Sequence, residues 1–230
     1  MKKVIIIIAI FCFSEFSLAE SGGVESRNFS ISTSASNSDI GNRVSVSGGV
    51  RFPLVYYTGV SITGRYSNFF GKNNYIDSSN YSGSFGVFLR KYNLGILNAR
   101  YGYSRTKSDF EGRNSKNSIK SVSINGTYYF KELDISVGLS RSEPDTGDSL
   151  NTSSAGVSYY VNENFRAGIS VVKMDADATN VFISYQPTLF RNTSSLSFSY
   201  QRSSSNNAFS FSIAYYLDTK VTIKDRVRRY

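Results

Sequence analysis

Residues 209–215, Phe209-Ser210-Phe211-Ser212-Ile213-Ala214-Tyr215, alternate strictly between a large apolar side chain and a small one. Successive side chains of a β-strand point to opposite faces, so this stretch presents one apolar face and one small, polar face. The same period of two recurs in residues 43–52 and 133–140. No comparable window has helical periodicity, and the sequence therefore predicts an all-β fold.

Twelve segments share this alternation, and each has about nine to twelve residues, the length that a tilted strand needs to cross a bilayer. They cover roughly 25–34, 42–52, 57–69, 81–90, 94–105, 119–130, 133–142, 153–161, 165–174, 179–186, 194–202 and 208–217. An even number of such strands predicts a transmembrane up-and-down antiparallel β-barrel with both ends of the chain in the periplasm.

The segments between the strands alternate in character. Polar links are predicted around 35–41, 70–80, 106–118, 143–152 and 203–207, with a shorter one at 175–178. Tighter turns fall between them at 53–56, 91–93, 131–132 and 162–164, with a longer one at 187–193. Long links on one side and short turns on the other are typical of an outer-membrane barrel.

A soluble secreted β-sandwich is the structural alternative, because its strands also alternate. The outward face of a sandwich would be rich in Lys, Glu and Thr, whereas the second face here is mostly Ser and Gly. Small residues suit the inside of a narrow barrel, so the composition favours the membrane barrel.

The amino terminus has the organisation of a signal peptide. Lys2-Lys3 precedes an apolar run at 4–13, and Ser17-Leu18-Ala19 supplies a small-x-small cleavage site. The run is about half as long as a transmembrane helix. We expect cleavage after Ala19 and residence in the outer membrane of a Gram-negative cell. The predicted organisation is a signal peptide at 1–19, an outer-membrane β-barrel at 20–217 and a basic C-terminal tail at 218–230.

One hairpin carries a family resemblance. Residues 158–170, Ser158-Tyr159-Tyr160-Val161-Asn162-Glu163-Asn164-Phe165-Arg166-Ala167-Gly168-Ile169-Ser170, join a strand to a Gly-containing strand through an Asn-rich turn. In this pattern the chain resembles bacterial outer-membrane β-barrel proteins. In strand number and size it is similar to the small twelve-stranded channels of the oligogalacturonate-porin family. The resemblance implies a porin-type channel in contact with outer-membrane lipid and lipopolysaccharide, assembled by the barrel assembly machinery.

The end of the chain departs from these proteins, whose last strand usually finishes with an aromatic residue. Tyr230 is aromatic, but Arg226 and Arg228 stand at alternate places before it, where apolar residues are expected. The stretch quoted first is the better match. Either the residues after it extend into the periplasm as a tail, or Val221, Ile223 and Val227 mark an extra strand.

Histidine is absent from the chain, and its single cysteine, Cys12, lies in the signal peptide. A Ser-His-Asp triad, a Cys-His pair and a His-rich metal site are therefore impossible. Barrel enzymes of this size class, such as phospholipases, lipid A deacylases and omptin-type proteases, depend on histidine. We expect a protein that is not an enzyme, with no catalytic residues, no metal site and no cofactor.

Positive charge is in excess, with 26 Lys and Arg against 17 Asp and Glu and a net charge of +9. Such an excess suits nucleic acid, anionic lipid or an anionic solute. An exported chain without a nucleic-acid-binding motif has no use for the first of these partners.

The sides of the charged residues follow from the alternation, because the apolar member of each pair must face lipid. The charges predicted to face the lumen are Arg51, Arg65, Arg90, Arg100, Arg166 and Asp134. Those predicted on the lipid-facing side at strand ends, next to lipopolysaccharide phosphates, are Arg105, Arg141, Lys173 and Arg202.

Two functions stay open. A passive channel for small anionic solutes follows from the inward arginines and the Ser- and Gly-lined face. The alternative is a non-conducting structural or surface-interaction barrel that contacts lipopolysaccharide or a partner through loops 70–80 and 106–118. Loop carboxylates such as Asp109 and Glu111, folded over the outer mouth, would neutralise the arginines and plug the lumen.

Overall fold

The computed structural model describes residues 28–55, 57–72, 76–110, 113–174, 177–190, 193–204, 206–217 and 221–229. The signal peptide predicted at 1–19 lies outside these residues. The strands are β1 (Asn28–Ser38), β2 (Gly41–Val55), β3 (Thr58–Gly71), β4 (Ser78–Lys91), β5 (Gly95–Phe110), β6 (Arg113–Phe130), β7 (Leu133–Pro144), β8 (Leu150–Asn162), β9 (Phe165–Lys173), β10 (Ala178–Tyr185), β11 (Ser194–Ser203) and β12 (Asn207–Tyr216). A 3-10 helix at Thr188–Phe190 and one α-helix, α1 (Ile223–Arg229), accompany them. No helix among the described residues is long and apolar enough to span a membrane.

The twelve strands form a closed antiparallel barrel in which each strand pairs with its neighbours in the chain. Closure is made by β1 and β12, whose register runs from Ser30 opposite Tyr216 to Ser38 opposite Ala208. The predicted all-β barrel and its strand number are confirmed. We call the end where β1 begins and β12 ends the proximal end, and the opposite end the distal end.

The two faces of the wall differ sharply. Inward-facing Ser45, Ser61 and Ser158 are buried, whereas outward-facing Val46 and Val137 are 48% and 62% exposed. A soluble barrel would place its apolar side chains inside. An apolar outer surface around a polar interior is the arrangement that a lipid bilayer requires.

The interior is lined by paired hydroxyl groups that join neighbouring strands. Their oxygen atoms lie within hydrogen-bond distance in the pairs Ser32–Ser47 at 2.7 Å, Ser34–Ser45 at 2.6 Å, Thr63–Ser84 at 2.7 Å and Ser184–Ser197 at 2.9 Å. Each pair satisfies polar groups that would be costly to bury alone. These parts of the lumen wall are thus polar and made of short side chains.

Aromatic side chains pack against one another on the outer surface. Tyr66 and Tyr81 lie on neighbouring strands with ring centroids 4.8 Å apart, and Tyr200 and Phe209 are 4.6 Å apart. Near the proximal end the Phe165 and Tyr185 rings are 6.4 Å apart. Outward aromatic pairs of this kind suit the interfaces of a bilayer, where an amphipathic ring contacts both lipid and water.

The expectation of long links at one end and short turns at the other was wrong. At the distal end β1 ends at Ser38 and β2 begins at Gly41, and β5 and β6 continue to Phe110 and Arg113. The widest gap between strands is at the proximal end, between Tyr185 and Ser194. The polar segments predicted as loops are largely strand. Hydrogen bonding between strands continues there although the apolar alternation has stopped.

We expect an arginine to be tolerated on one face of β7 and rejected on the other. Val137→Arg would place a charge in the apolar outer band and cost about 2–4 kcal/mol of folding free energy at mid-bilayer. Ser136→Arg faces the lumen beside Gly156 and should cost much less. Urea unfolding of the barrel in lipid vesicles measures both. Equal losses of stability for the two variants would contradict the assigned faces.

Candidate functional site in the barrel lumen

The six charges predicted for the lumen lie on the inward side of the wall. Arg51, Ser61, Gly86 and Arg100 stand opposite one another in a single row across β2 to β5. Near the proximal end lie Arg90 on β4, Asp134 on β7 and Arg166 on β9. Arg65 lies opposite Ser47 and Ser82, in the middle of β3.

The C-terminal segment is neither a free tail nor an extra strand, and both alternatives drawn from the sequence were wrong. Ile223–Arg229 forms α1, and Thr222 precedes it as the N-cap. The Thr222 Oγ1 atom accepts a hydrogen bond from Asp225 N at 3.2 Å, which satisfies one of the free N–H groups of the first turn. Seven residues are too few for a stable isolated helix. Contacts with the barrel must therefore hold α1.

Hydrogen bonds to the barrel wall hold α1 across the proximal opening. Gln186 Nε2 donates to Val221 O at 2.8 Å, and Lys224 N donates to Glu163 O at 3.1 Å. The hydroxyl of Tyr129 donates to Val227 O at 3.3 Å. The helix contacts β9 and β4, which are five strands apart around the twelve-stranded ring and so lie nearly opposite each other. The helix therefore obstructs the proximal end of the lumen.

A buried ion pair between α1 and the wall is the strongest of these contacts. Arg228 donates to Asp134 Oδ1 from Nη2 at 2.8 Å and from Nε at 3.2 Å. The other carboxylate oxygen, Oδ2, accepts a hydrogen bond from the Tyr160 hydroxyl at 2.8 Å. Asp134 is only 1% exposed. The partners satisfy both of its oxygens, so the charge can be buried without a large desolvation penalty.

Aromatic rings hold the arginines of this cluster in place. The Arg228 guanidinium lies 5.1 Å from the Tyr129 ring centroid and 5.3 Å from that of Tyr160. Arg226, also on α1, lies 3.5 Å from the Tyr216 ring centroid. Guanidinium groups are attracted to ring faces at these distances, and the attraction is stronger away from water. Arg226 and Arg228 of α1 thus each have an aromatic contact on the wall.

Arg166 completes the cluster on β9. Its Nη2 atom lies 3.8 Å from Asp134 Oδ2, and its Nε and Nη2 atoms both donate to Ser158 Oγ, at 2.9 and 2.7 Å. Asp134 is therefore shared by two arginines and cannot neutralise both.

A second group of inward arginines, on β2, β4 and β5, has no ion pair among the described residues. Arg90 lies 5.3 Å from the Phe88 ring centroid and beside the Tyr129 hydroxyl, and it is 2% exposed. Arg51 and Arg100 lie at the two ends of the row through Ser61 and Gly86, and Arg90 lies four residues after Gly86 on the same side of β4. These three residues form what we call the arginine wall. Like charges this close raise the local positive potential.

Nearer the distal end, Arg65 donates to Ser45 Oγ at 2.9 Å and lies within reach of the charge of Arg43. Arg43 is a lumen residue that the sequence analysis did not include among the inward charges. It stands opposite Ser36 and Phe69 on the inward side of β2, and its guanidinium lies 5.6 Å from the Phe69 ring centroid. Its position eight residues before Arg51, on the same parity, could have identified it.

The four cations predicted at the lipopolysaccharide interface lie on the outward side, toward the distal ends of their strands. They are Arg105 on β5, Arg141 on β7, Lys173 on β9 and Arg202 on β11. Arg141 is paired with an exposed neighbour, Glu143, at 2.9 Å, which offsets its charge locally. Lys107, Lys116 and Lys120 lie on the same outward side of β5 and β6, although the sequence analysis did not include them.

The described residues contain no group of His, Cys, Asp or Glu side chains that could hold a metal ion. The Asp109 side chain and Glu111, proposed as a plug over the outer mouth, lie outside the residues that the structure describes. The site is therefore a polar lumen with localised positive charge.

Comparisons with known proteins identify the architecture. No family model and no curated protein matches the chain by sequence. Among solved structures, the KdgM porin in complex with disordered oligogalacturonate is 12% identical, with a TM-score of 0.61 over 81% of this chain and 98% of that one. An outer membrane channel of Pseudomonas putida F1 is 10% identical, with a TM-score of 0.60 over 89% and 99%. The β-domain of the Bordetella autotransporter BrkA is 10% identical, with a TM-score of 0.60 over 84% and 100%. The chain therefore shares the fold of small twelve-stranded porins.

We expect Asp134→Asn to release α1 while the barrel stays intact. Removing one partner of a buried ion pair costs about 3–5 kcal/mol, enough to shift helix docking by roughly a hundredfold. Trypsin should then cut rapidly after Lys224, Arg226 or Arg228. Mass spectrometry of the digested protein would show the loss of the C-terminal residues.

The matched control is Glu132→Gln. Glu132 binds Lys224 of the same helix at 2.8 Å, but its side chain is 46% exposed, and such pairs contribute no more than about 1 kcal/mol. Its digestion rate should stay close to that of the unmodified protein. Similar rates for Asp134→Asn and Glu132→Gln would show that the buried pair does not hold the helix.

Proposed function

We propose that this protein is an outer-membrane channel through which small anionic solutes pass without an energy source. The observation that carries the proposal is the charge of the lumen. Six arginines face inward from the strands and two more enter on α1, whereas Asp134 is the one inward acid among the described strand residues. Low-dielectric walls focus the field of these cations on the path between them.

The rest of the lumen suits passage of a hydrated solute. Short hydroxyl side chains line the wall between the arginines and offer hydrogen bonds without blocking the path. Two of the structures with this fold are described as a porin and an outer membrane channel. The oligogalacturonate held by the first of them is an acidic sugar polymer, and anionic sugars are reasonable test solutes here.

The orientation follows from the two ends of the barrel. Chain termini lie on the periplasmic side in bacterial barrels with an even number of strands, so the proposal assigns the proximal end and α1 to the periplasm. The outward cations at the distal ends of strands then lie beside lipopolysaccharide phosphates, which attract them. Export would use the signal peptide at 1–19, and insertion would use the barrel assembly machinery with β12 as the last strand.

We expect anion selectivity that depends on the inward arginines. Under a KCl gradient in a planar bilayer, the reversal potential should indicate chloride over potassium. Arg65→Ser combined with Arg100→Ser should reduce that potential by roughly half, because charges inside the lumen are screened less than those at its mouths.

Arg105→Ser is the matched control, because Arg105 is on the same strand as Arg100 but on its outward side. The reversal potential of this variant should not change. Selectivity for potassium in the unmodified protein would contradict an anion channel.

A non-conducting barrel that contacts lipopolysaccharide or a partner is the second candidate, and the docked α1 favours it. The helix crosses the proximal opening and brings Arg226 and Arg228 into it, both less than a tenth exposed. A lumen obstructed in this way could serve as a structural support alone.

Removing α1 distinguishes the two candidates. A chain ending at Leu217 keeps all twelve strands and should conduct several times more than the full chain if α1 obstructs a real path. Swelling of liposomes that contain this variant should be faster in galacturonate than in galactose, which has nearly the same size but no charge. If neither the shortened nor the full chain conducts, the lumen is closed by its own side chains and the structural candidate is correct.

A further inference from the structure

Arg90 has a side chain whose polar atoms are not satisfied by the protein. It is 2% exposed, and its Nε and Nη1 atoms are buried without a hydrogen-bond partner among the described residues. Burying a guanidinium with free N–H groups is costly, and native proteins normally provide an acceptor or a counter-charge. The Tyr129 hydroxyl beside it carries no charge.

Free polar atoms also occur on the row of inward residues that crosses β4 at Gly86, four residues before Arg90. Arg100 Nε and Ser61 Oγ are also buried without a partner among the described residues. Both lie on the row that contains Gly86, where an added Cβ would come within 2.9 Å of Ser61 Oγ. Gly86 therefore lets Ser61 Oγ, Ala99 O and Asn98 Oδ1 approach the backbone closely, and a side chain there would displace them.

No described carboxylate is available to this wall. The inward acid among the described strand residues, Asp134 on β7, already contacts Arg228, Arg166 and Tyr160. The guanidinium groups of Arg90 and Arg100, which have unpaired donors, therefore face the lumen together with that of Arg51 and without a described carboxylate. An anion from outside the chain would satisfy the donors and the charges together.

We propose that Arg51, Arg90 and Arg100 form a binding site for a compact oxyanion, either a phosphate or a carboxylate. The planar fork of a guanidinium presents parallel N–H groups that match two oxygens of such an anion, which chloride cannot engage in the same way. Arg90 is the anchor because it is the most buried, and Arg51 and Arg100 add charge. The inference rests on the proposed function, since the anion reaches the site through the lumen.

The test is direct binding of inorganic phosphate to the purified full-length barrel in detergent. Equilibrium dialysis with radiolabelled phosphate, at an ionic strength held constant with sodium chloride, should give saturable binding of one phosphate per chain. Arg90→Met removes the anchor but keeps an apolar side chain of similar length, and should weaken binding by at least about tenfold. Lys91→Met removes the same charge from the adjacent residue, which is exposed on the outward side, and should not change the affinity.

Added acetate identifies the source of the oxyanion. If acetate displaces phosphate, the site also binds carboxylates. If phosphate stays bound in the presence of acetate, the site is restricted to phosphate. Either result supports the site. Absence of saturable phosphate binding in the unmodified protein would overturn the proposal. Equal phosphate affinities of the unmodified protein and the Arg90→Met variant would overturn it as well. If Arg90→Met does not fold, Arg100→Gln carries the same expectation of weaker binding.

The binding assay does not depend on conductance. An anion-selective channel that binds no phosphate would remove this site and leave the proposed function in place. A barrel that binds phosphate but does not conduct would remove the channel and keep the site.

Discussion

Closure between β1 and β12 is the constraint on which the rest of the structure depends. Inside a bilayer each unpaired backbone N–H or C=O group costs several kcal/mol, so a sheet that crosses the membrane cannot have an open edge. The two closing strands come from opposite ends of the mature chain, and their register pairs Ser30 with Tyr216. Once this seam is made, each position in each strand has a definite side. The charged lumen, the apolar outer surface and the proximal opening that α1 crosses all exist only because the ring is closed.

Strand number and side-chain direction could be predicted from the sequence because both are local properties. Alternation in a stretch such as 209–215 depends only on neighbouring residues and on the contrast between lipid and lumen. That contrast ends outside the bilayer, where both faces meet water. At the distal end of β6, Ile119 faces inward and Lys120 faces outward. This is the reverse of the membrane-spanning part, where apolar side chains face outward and polar ones inward. Link lengths were therefore predicted wrongly, because the backbone ladder continues where the apolar signal stops.

The docking of α1 could not be predicted because it depends on contacts between residues that are far apart in the sequence. Its seven residues have a basic composition that indicates a solvated tail, and the partner that buries Arg228 is 94 residues earlier in the chain. Asp134 was recognised as an inward acid, but nothing near it in sequence specifies what it binds. Pairing of three successive strands brings Tyr129, Asp134 and Tyr160 together, and they form a pocket for the guanidinium that arrives from α1. The misfit of Arg226 and Arg228 with a terminal strand was the one local sign of another role.

Docking of the tail also sets the electrostatics of the lumen. Arg228 occupies the carboxylate of Asp134, which would otherwise offset the strand arginines, and Arg226 adds a further cation near Tyr216. With α1 in place, the cations of the β7 to β9 side share one acid and several ring faces, whereas the arginine wall of β2 to β5 has no described counter-charge. Positive potential is thereby concentrated on one side of the lumen. The helix that obstructs the proximal opening thus also engages the inward acid among the described strand residues, which leaves the arginine wall without a described counter-charge.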